Sequence, residues 1–358
     1  MPADPPRTRP VVALTGAMAG PVRATLEADL TTHWDIRTWT AAEPEGRLEA
    51  ILAEADAVVP GTDSLFIGTF FRGLKASRTL RLLQIPFAGT DWLKPALLPS
   101  QAVAAGCSGH EIPMAEYVIA SLLEWEIGFR SMDAAFRAGS WKHAGSLKES
   151  GAFHGEIFGK TLGIVGLGGI GIEAAKRARA FGMRVIGLKR TPLDPPPDYL
   201  DHVYATAHEP GALHALLRES DYVLLACDLN DATRGLLGPA EFDAMKDTAV
   251  VVNIARGEVA QEEAFYKALE SRRIAGAVID TWYRYPARGL ADGETPADPS
   301  PSAYPFTALP NVIVTPHCSA HTRAADRRRV TSIAANLDRF ARSEPLDRVM
   351  VRGTDAAA

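Results

Sequence analysis

The chain has 358 residues, 38 Lys and Arg against 43 Asp and Glu, a formal net charge of −5 and 47% apolar residues. These values exclude a mostly disordered or fibrous protein and leave room for about two domains, each with its own core. A mildly negative balance without a basic stripe argues against a nucleic-acid partner, and no run approaches the roughly 18 apolar residues of a membrane span.

In chain order, residues 1–10 are polar and hold four prolines, unlike a signal or transit peptide. Residues 11–15 read as a strand ended by Gly16, 22–30 as a helix, 35–39 as a strand, 48–55 as a helix and 57–59 as a strand. Two more strands are expected at 80–87 and 102–105, giving a small parallel α/β domain of five strands. A helical stretch follows over 112–137, interrupted near Gly128. It is apolar on most sides and should be buried between domains or subunits. A second α/β series begins with a strand at 161–165 and a helix at 170–181. Further strands are expected at 184–188, 222–227, 249–254, 275–279 and 312–315, as a doubly wound sheet requires. The segment 286–310 is rich in Pro, Gly, Asp and Ala, and reads as a functional loop or a loose surface insertion. The last helix is expected over 320–341, with a frayed tail to residue 358. Cys107, Cys227 and Cys318 are far apart and lack CxxC spacing. That pattern predicts a reducing compartment, the cytoplasm by default, with neither a disulfide framework nor a zinc site.

Gly166-Leu167-Gly168-Gly169-Ile170-Gly171 is a G-x-G-x-x-G run. It directly follows a predicted strand and opens a predicted helix, the context a dinucleotide fingerprint demands. The first glycine allows a tight turn, the second admits the pyrophosphate, and the third lets helix and strand pack closely. The helix N-terminus adds free N–H groups and a positive dipole end. About 20 residues on, an NAD site carries an acidic residue for the ribose hydroxyls. Here the second strand ends in Lys189 and Arg190. Two cations suit a 2′-phosphate, so NADP is preferred over NAD; the alternative is that both side chains simply face solvent.

Asn253-Ile254-Ala255-Arg256-Gly257, then Ala275-Gly276-Ala277-Val278-Ile279-Asp280, then Asn311-Val312-Ile313-Val314-Thr315-Pro316-His317 follow in order behind the glycine run. Together they resemble the D-isomer-specific 2-hydroxyacid dehydrogenases, which interconvert 2-oxo acids and D-2-hydroxy acids with a nicotinamide cofactor. Leu83-Gln84 with Ala88-Gly89-Thr90-Asp91 resembles the family's substrate loop, and Ala115-Glu116 the start of its inter-domain helix. The resemblance spans about residues 50 to 335. It implies a Rossmann-type doubly wound cofactor domain, 111–322, inserted into a smaller flavodoxin-like α/β substrate domain made of 1–110 and 323–358. It also implies an active site in the cleft between them and a homodimer formed through the long helices.

Hydride transfer needs the substrate carboxylate held, the carbonyl polarised and one proton moved. Arg256 suits the first two tasks, because a guanidinium bridges carboxylate and carbonyl oxygens with fixed geometry. It follows a strand, at the carboxyl edge where open α/β sheets bind ligands; a structural salt bridge is the plainer reading. His317, after the strand and Pro316, suits the proton task. His321 lies four residues on, but no third ligand with suitable spacing appears, so no metal is expected. By the resemblance, Thr233, Ile254 and Ala255 line the cofactor with Gly166, Gly168, Gly169, Ile170 and Gly171. Asp280 matches a motif aspartate near the nicotinamide; its plain reading is a helix N-cap after a strand. The N–H groups of Ala88 and Gly89 would grip the substrate carboxylate, and His110 would face the substrate.

One position departs from the pattern. The family's third catalytic residue is usually a glutamate five positions beyond the aspartate, and Tyr285 stands there. A buried carboxylate raises the pKa of a neighbouring imidazole, whereas a phenol gives a hydrogen bond without charge. With the charged ring as donor, oxo-acid reduction should fall away at lower pH than in Glu-bearing relatives. Alternatively the long loop supplies Asp292 or Glu294. The chain therefore reads as a 2-oxo-acid reductase of the glyoxylate or hydroxypyruvate type, with Trp92 and Tyr285 suggesting a bulkier substrate. The alternative is a cofactor-sensing binding protein of the same fold, like the C-terminal-binding protein corepressors, with weak or no catalysis. A formate dehydrogenase, suggested by Trp282 and the neutral partner, lacks its other surroundings.

Overall fold

The computed structural model describes residues 9–20, 22–143, 153–191, 193, 195–285 and 300–354. The chain divides into two compact units, Met1–His110 with Thr322–Ala358, and Glu111–His321.

In the first unit, β1 (Val11–Thr15), β2 (Asp35–Trp39), β3 (Ala57–Pro60), β4 (Leu82–Gln84) and β5 (Val103–Ala105) pair in parallel. Their spatial order is β5-β4-β3-β1-β2, the flavodoxin-like arrangement. Side chains alternate across the sheet. Ala13 and Val58 meet Leu48, Leu52, Phe70 and Leu74 on one face. Val12, Leu14 and Val59 meet Val330, Ile333 and Leu337 of the helix Arg323–Ala341 on the other. That helix starts at Thr322, whose hydroxyl accepts from the Ala325 N–H at 3.0 Å, an N-cap.

Two elements depart from the sequence reading. The expected frayed tail is wrong over Val349–Arg352, which pairs antiparallel with β5 and makes a sixth strand. Its side chains are largely exposed, so it rests on ladder hydrogen bonds to a distant partner and carries little apolar pattern of its own. The helix Gly68–Ala76 was not anticipated. Its two glycines mask the period that buries Phe70 and Leu74, and Gly73 is there for closeness: a Cβ would lie 2.8 Å from Leu52 Cδ1.

The second unit holds β6 (Thr161–Val165), β7 (Arg184–Lys189), β8 (His202–Ala205), β9 (Tyr222–Leu225), β10 (Val250–Asn253), β11 (Gly276–Ile279) and β12 (Val312–Val314), all parallel. The order β12-β11-β10-β9-β6-β7-β8 reverses direction between β6 and β9. Such a switch point opens a crevice at the carboxyl ends of the strands. β8 was also missed, being short, half-exposed and without an apolar run. The helix Glu111–Ile127 buries Met114, Ala115, Val118 and Leu122 against Ala174, Ala175 and Ala178 of the helix Gly169–Ala180. Gly128, at φ +71°, ends it. The next helix, Phe129–Arg137, has no buried residue.

Within the segment read as a functional loop or a loose surface insertion, Phe306–Ala308 forms a 3-10 turn. Phe306 lies 1% exposed among Phe265, Trp282 and Tyr283. Asp292 and Glu294 lie outside the described residues.

Candidate active site

The glycine turn leaves β6 at the switch point. Gly166 has φ +106°, and a Cβ there would lie 2.7 Å from the backbone of Ala226 and Cys227. Its N–H donates to Leu188 O at 3.1 Å, drawing the turn to the end of β7. A Cβ on Gly171 would lie 2.2 Å from Gly166 O, and one on Gly169 2.9 Å from Glu111 Cγ. Gly168 is different: a Cβ there would meet nothing within 4 Å. The space lies at the N-terminus of a twelve-residue helix that no side chain caps, so its first N–H groups remain available to an anion. The residues present therefore fit a dinucleotide pyrophosphate. Lys189 ends β7 and Arg190 follows, exposed. Among the described residues neither is paired with a carboxylate.

Arg256 leaves β10 on a braced turn. Asn253, 1% exposed, accepts from the Ala255 N–H at 3.1 Å and donates to Arg256 O at 2.9 Å. A Cβ on Gly257 would lie 2.6 Å from the Trp282 carbonyl carbon, so glycine lets this turn meet the segment after β11. Arg256 Nη1 donates to Ala255 O at 2.8 Å.

The turn after β12 carries His317 at φ +58°, a left-handed conformation that strains a residue with a side chain. Hydrogen bonds from both sides hold it. Asp280, fully buried, accepts from Thr315 Oγ1 at 2.5 Å, the Cys318 N–H at 2.9 Å and the Ser319 N–H at 3.0 Å. Burial alone would raise its carboxyl, but hydrogen bonds from Ser319, Thr315 and the turn's N–H groups outweigh it and hold the group below the usual carboxylate range. The N-cap reading of Asp280 is therefore wrong: among the described residues no helix starts at Asp280, and the side chain anchors a turn in the distant segment 315–319. Trp282 Nε1 donates to Thr315 O at 2.8 Å, and Tyr117 Oη lies 2.7 Å from Thr315 Oγ1. Burial pushes the Tyr117 phenol up to about 12.

Tyr285 Oη lies 2.9 Å from His317 Nδ1 and accepts from the Trp282 N–H at 3.0 Å. The position counted from Asp280 thus does meet the histidine. Burial, then the nearby Arg256 charge, lowers the imidazole below its ordinary value, with Asp280 opposing.

The remaining candidates are distributed as follows. Ile254 and Ala255 lie buried at the end of β10. Thr233 braces the loop after β9, donating to Asp228 O at 2.6 Å and accepting from the Asn230 N–H at 2.9 Å. Ala88, Gly89 and His110 belong to the first unit. The N–H groups of Ala88 and Gly89 donate to no acceptor among the described residues, and Trp92 Nε1 donates to Gly89 O at 3.1 Å. His110 is 6% exposed. Among the described residues no group of three His, Cys, Asp or Glu could hold a metal ion, and no helix is long and apolar enough to cross a membrane. Sequence reasoning missed Thr315, Tyr117 and Asn253. Thr315 stood in the Thr-Pro-His motif, and Asn253 headed the Asn-Ile-Ala-Arg-Gly run; Tyr117 gave no signal.

A parallel sheet with a glycine turn at its switch point is a Rossmann-type dinucleotide fold. Residues 119–319 match the model of the D-isomer specific 2-hydroxyacid dehydrogenase NAD binding domain. The chain belongs to the D-isomer specific 2-hydroxyacid dehydrogenase family. It is 36% identical over 213 residues to a glyoxylate reductase of Thermococcus gammatolerans, covering 59% of this chain and 58% of the relative. It is 30% identical over 280 residues to a D-3-phosphoglycerate dehydrogenase of Archaeoglobus fulgidus, covering 76% and 47%. The match thus spans less than two thirds of either relative's length. Among solved structures, a D-isomer specific 2-hydroxyacid dehydrogenase family protein of Aeromonas salmonicida superposes with a TM-score of 0.75 at 23% identity, over 96% of this chain and 99% of that one. An NADPH-dependent glyoxylate/hydroxypyruvate reductase of Sinorhizobium meliloti, in complex with NADP and sulfate, gives 0.73 at 24%, over 96% and 98%. Both share the fold.

Proposed function

We propose that this protein is an oxidoreductase interconverting a 2-oxo acid and a D-2-hydroxy acid with NADP(H) in preference to NAD(H), working as a reductase of the glyoxylate or hydroxypyruvate type. The observation that carries the reading is the Tyr285–His317 contact of 2.9 Å, on the same sheet edge as Arg256 and the glycine turn. A bound nicotinamide supplies or takes the hydride at the substrate's C2.

Arg256 polarises the carbonyl and holds the carboxylate. The N–H groups of Ala88 and Gly89 grip that carboxylate, and His110 faces the substrate. His317 moves the proton, kept in place by Asp280 and oriented by Tyr285. Gly166, Gly168, Gly169, Ile170 and Gly171 cradle the pyrophosphate. Thr233, Ile254, Ala255 and Asp280 border the nicotinamide, and Lys189 and Arg190 receive the 2′-phosphate. The assembly proposed is a cytoplasmic homodimer. In support, Phe129, Phe136 and Trp141 are 61%, 58% and 71% exposed, and the Phe136 and Trp141 rings, 5.0 Å apart, form apolar surface that a second copy would cover. Sedimentation equilibrium giving one chain per particle at micromolar concentration would remove the dimer.

Initial rates with a panel of 2-oxo acids, NADPH and NADH side by side, test the whole reading. Turnover favouring NADPH on at least one acid is expected. Tight dinucleotide binding with no turnover on any acid would instead establish the cofactor-sensing alternative, to which the neutral Tyr285 lends its support.

A further inference from the structure

We infer that Tyr285 and His317 form an uncharged proton relay, phenol to Nδ1 and Nε2 to substrate oxygen, in place of an imidazolium paired with a carboxylate. The inference rests on the 2-oxo-acid reading above.

The hydrogen bonds accommodate the relay's direction. A backbone N–H only donates, and that of Trp282 reaches Tyr285 Oη at 3.0 Å. It occupies one of the oxygen's two lone pairs. Nδ1 of His317 lies 2.9 Å from the same oxygen, and the relay assigns the phenol's own O–H as the donor to it. An imidazole accepting at Nδ1 carries its proton at Nε2. The surroundings favour this neutral ring. Arg256 faces it from the turn after β10, His321 from its own segment, and both act against a positive ring. Asp280, from the end of β11, acts the other way, but its two oxygens are already engaged by Thr315, Cys318 and Ser319. Tyr285 itself is faced by Arg256, Asp280 and Glu258.

The step balances. The hydride from the dihydronicotinamide forms the new C–H bond at C2, and the carbonyl π pair moves onto oxygen. That oxygen takes the Nε2 proton, and Nδ1 takes the phenol proton as the Oη–H bond breaks. The products are the hydroxy acid, a neutral imidazole protonated at Nδ1, and a tyrosinate, which burial disfavours on balance, an effect the Trp282 N–H and the Arg256 charge partly offset. The relay resets in reverse: once the hydroxy acid leaves, a solvent proton reaches Nε2 and Nδ1 returns its proton to Tyr285. The fall in reduction rate expected for a charged ring near neutral pH is thereby moved to the ionisation of the phenol.

The test combines a pH profile with a spectroscopic readout on the protein without cofactor. Reduction of the best 2-oxo acid should stay level from about pH 6 to about pH 9 and fall only above, where a phenol ionises. Nitrogen-15 NMR of His317 should show one tautomer, protonated at Nε2, across about pH 6 to 8, and Tyr285→Phe should scramble it. The same variant should lose reduction by about a hundredfold with unchanged NADPH affinity. Tyr285→Glu should bring the fall in rate down toward neutrality, the charged ring now being the donor. A rate falling through about pH 6 to 7 in the unaltered protein, in step with imidazolium signals, would overturn the relay and leave the oxidoreductase standing. An unaltered protein that reduces no 2-oxo acid would overturn both.

Discussion

The turn after β6 and the turn after β12 leave the same edge of one sheet, and opposite means shape them. At Gly166 and Gly171 the chain passes so close to itself that a single carbon would collide with backbone. At His317 the chain carries a full side chain through a left-handed conformation, and Asp280, Trp282 and Thr315 hold it there by hydrogen bonds. One turn is made by leaving atoms out and tolerates no addition. The other is made by adding bonds and weakens by degrees as they are removed. The difference suits the tasks proposed for them: a phosphate needs backbone approach, whereas a proton carrier needs a fixed ring.

That contrast can be broken by substitution. Gly171→Val should be the most damaging, because its Cβ falls 2.2 Å from Gly166 O. A loss of about 3 kcal/mol in urea unfolding is expected, and a stable variant would show that the turn has slack. Gly168→Ala sharpens the point, since its Cβ meets nothing. Its melting temperature should hold while dinucleotide affinity drops about tenfold or more, about 1.4 kcal/mol. A matching fall in stability would make Gly168 a folding residue.

Asp280→Asn comes next, with an expected loss of about 2 kcal/mol, as for hydrogen bonds to a charged group. The depressed carboxyl also fixes the sign of the pH effect. Its contribution is present above the unfolded value of about 4 and is lost as pH falls through the lower folded value. Stability of the unaltered protein should therefore drop more steeply below about pH 4 than that of the variant. Parallel acid limbs would refute the assignment. Replacing Lys189 and Arg190 together by Ala should weaken NADPH binding about tenfold and leave NADH unchanged. Equal weakening of both would leave the two cations without a 2′-phosphate role. Trp282→Phe, which removes the indole bond to Thr315 O and part of the packing on Phe306, should cost at least about 1 kcal/mol. No measurable change would mean that Asp280 alone holds the turn.

The sheet of the second unit was largely legible because its strands are apolar runs, as buried parallel strands are, and because Gly166–Gly171 combines pattern with context. Arg256 and His317 were legible at the ends of such strands, and Tyr285 by counting from Asp280. What stayed hidden depends on partners far along the chain. Val349–Arg352 is a strand only because β5 is beside it. His202–Ala205 is held by β7 at the sheet's edge. The grip of Asp280 on Cys318 and Ser319 reaches 38 and 39 residues along the chain, which no local period crosses, so the local cue pointed to a cap. The 2.9 Å contact between Tyr285 and His317 likewise joins two strand ends that only the folded sheet brings together.

The helix Arg323–Ala341 and the strand Val349–Arg352 complete a unit whose other part ends at His110. On a ribosome the two units therefore mature out of written order. The continuous stretch Glu111–His321 emerges with its whole core in hand and can close first. The earlier-made strands β1 to β5 must meanwhile wait with one face lacking Val330, Ile333 and Leu337. For that interval the nascent chain exposes an apolar sheet face and an open β5 edge, the kind of surface on which chaperones act.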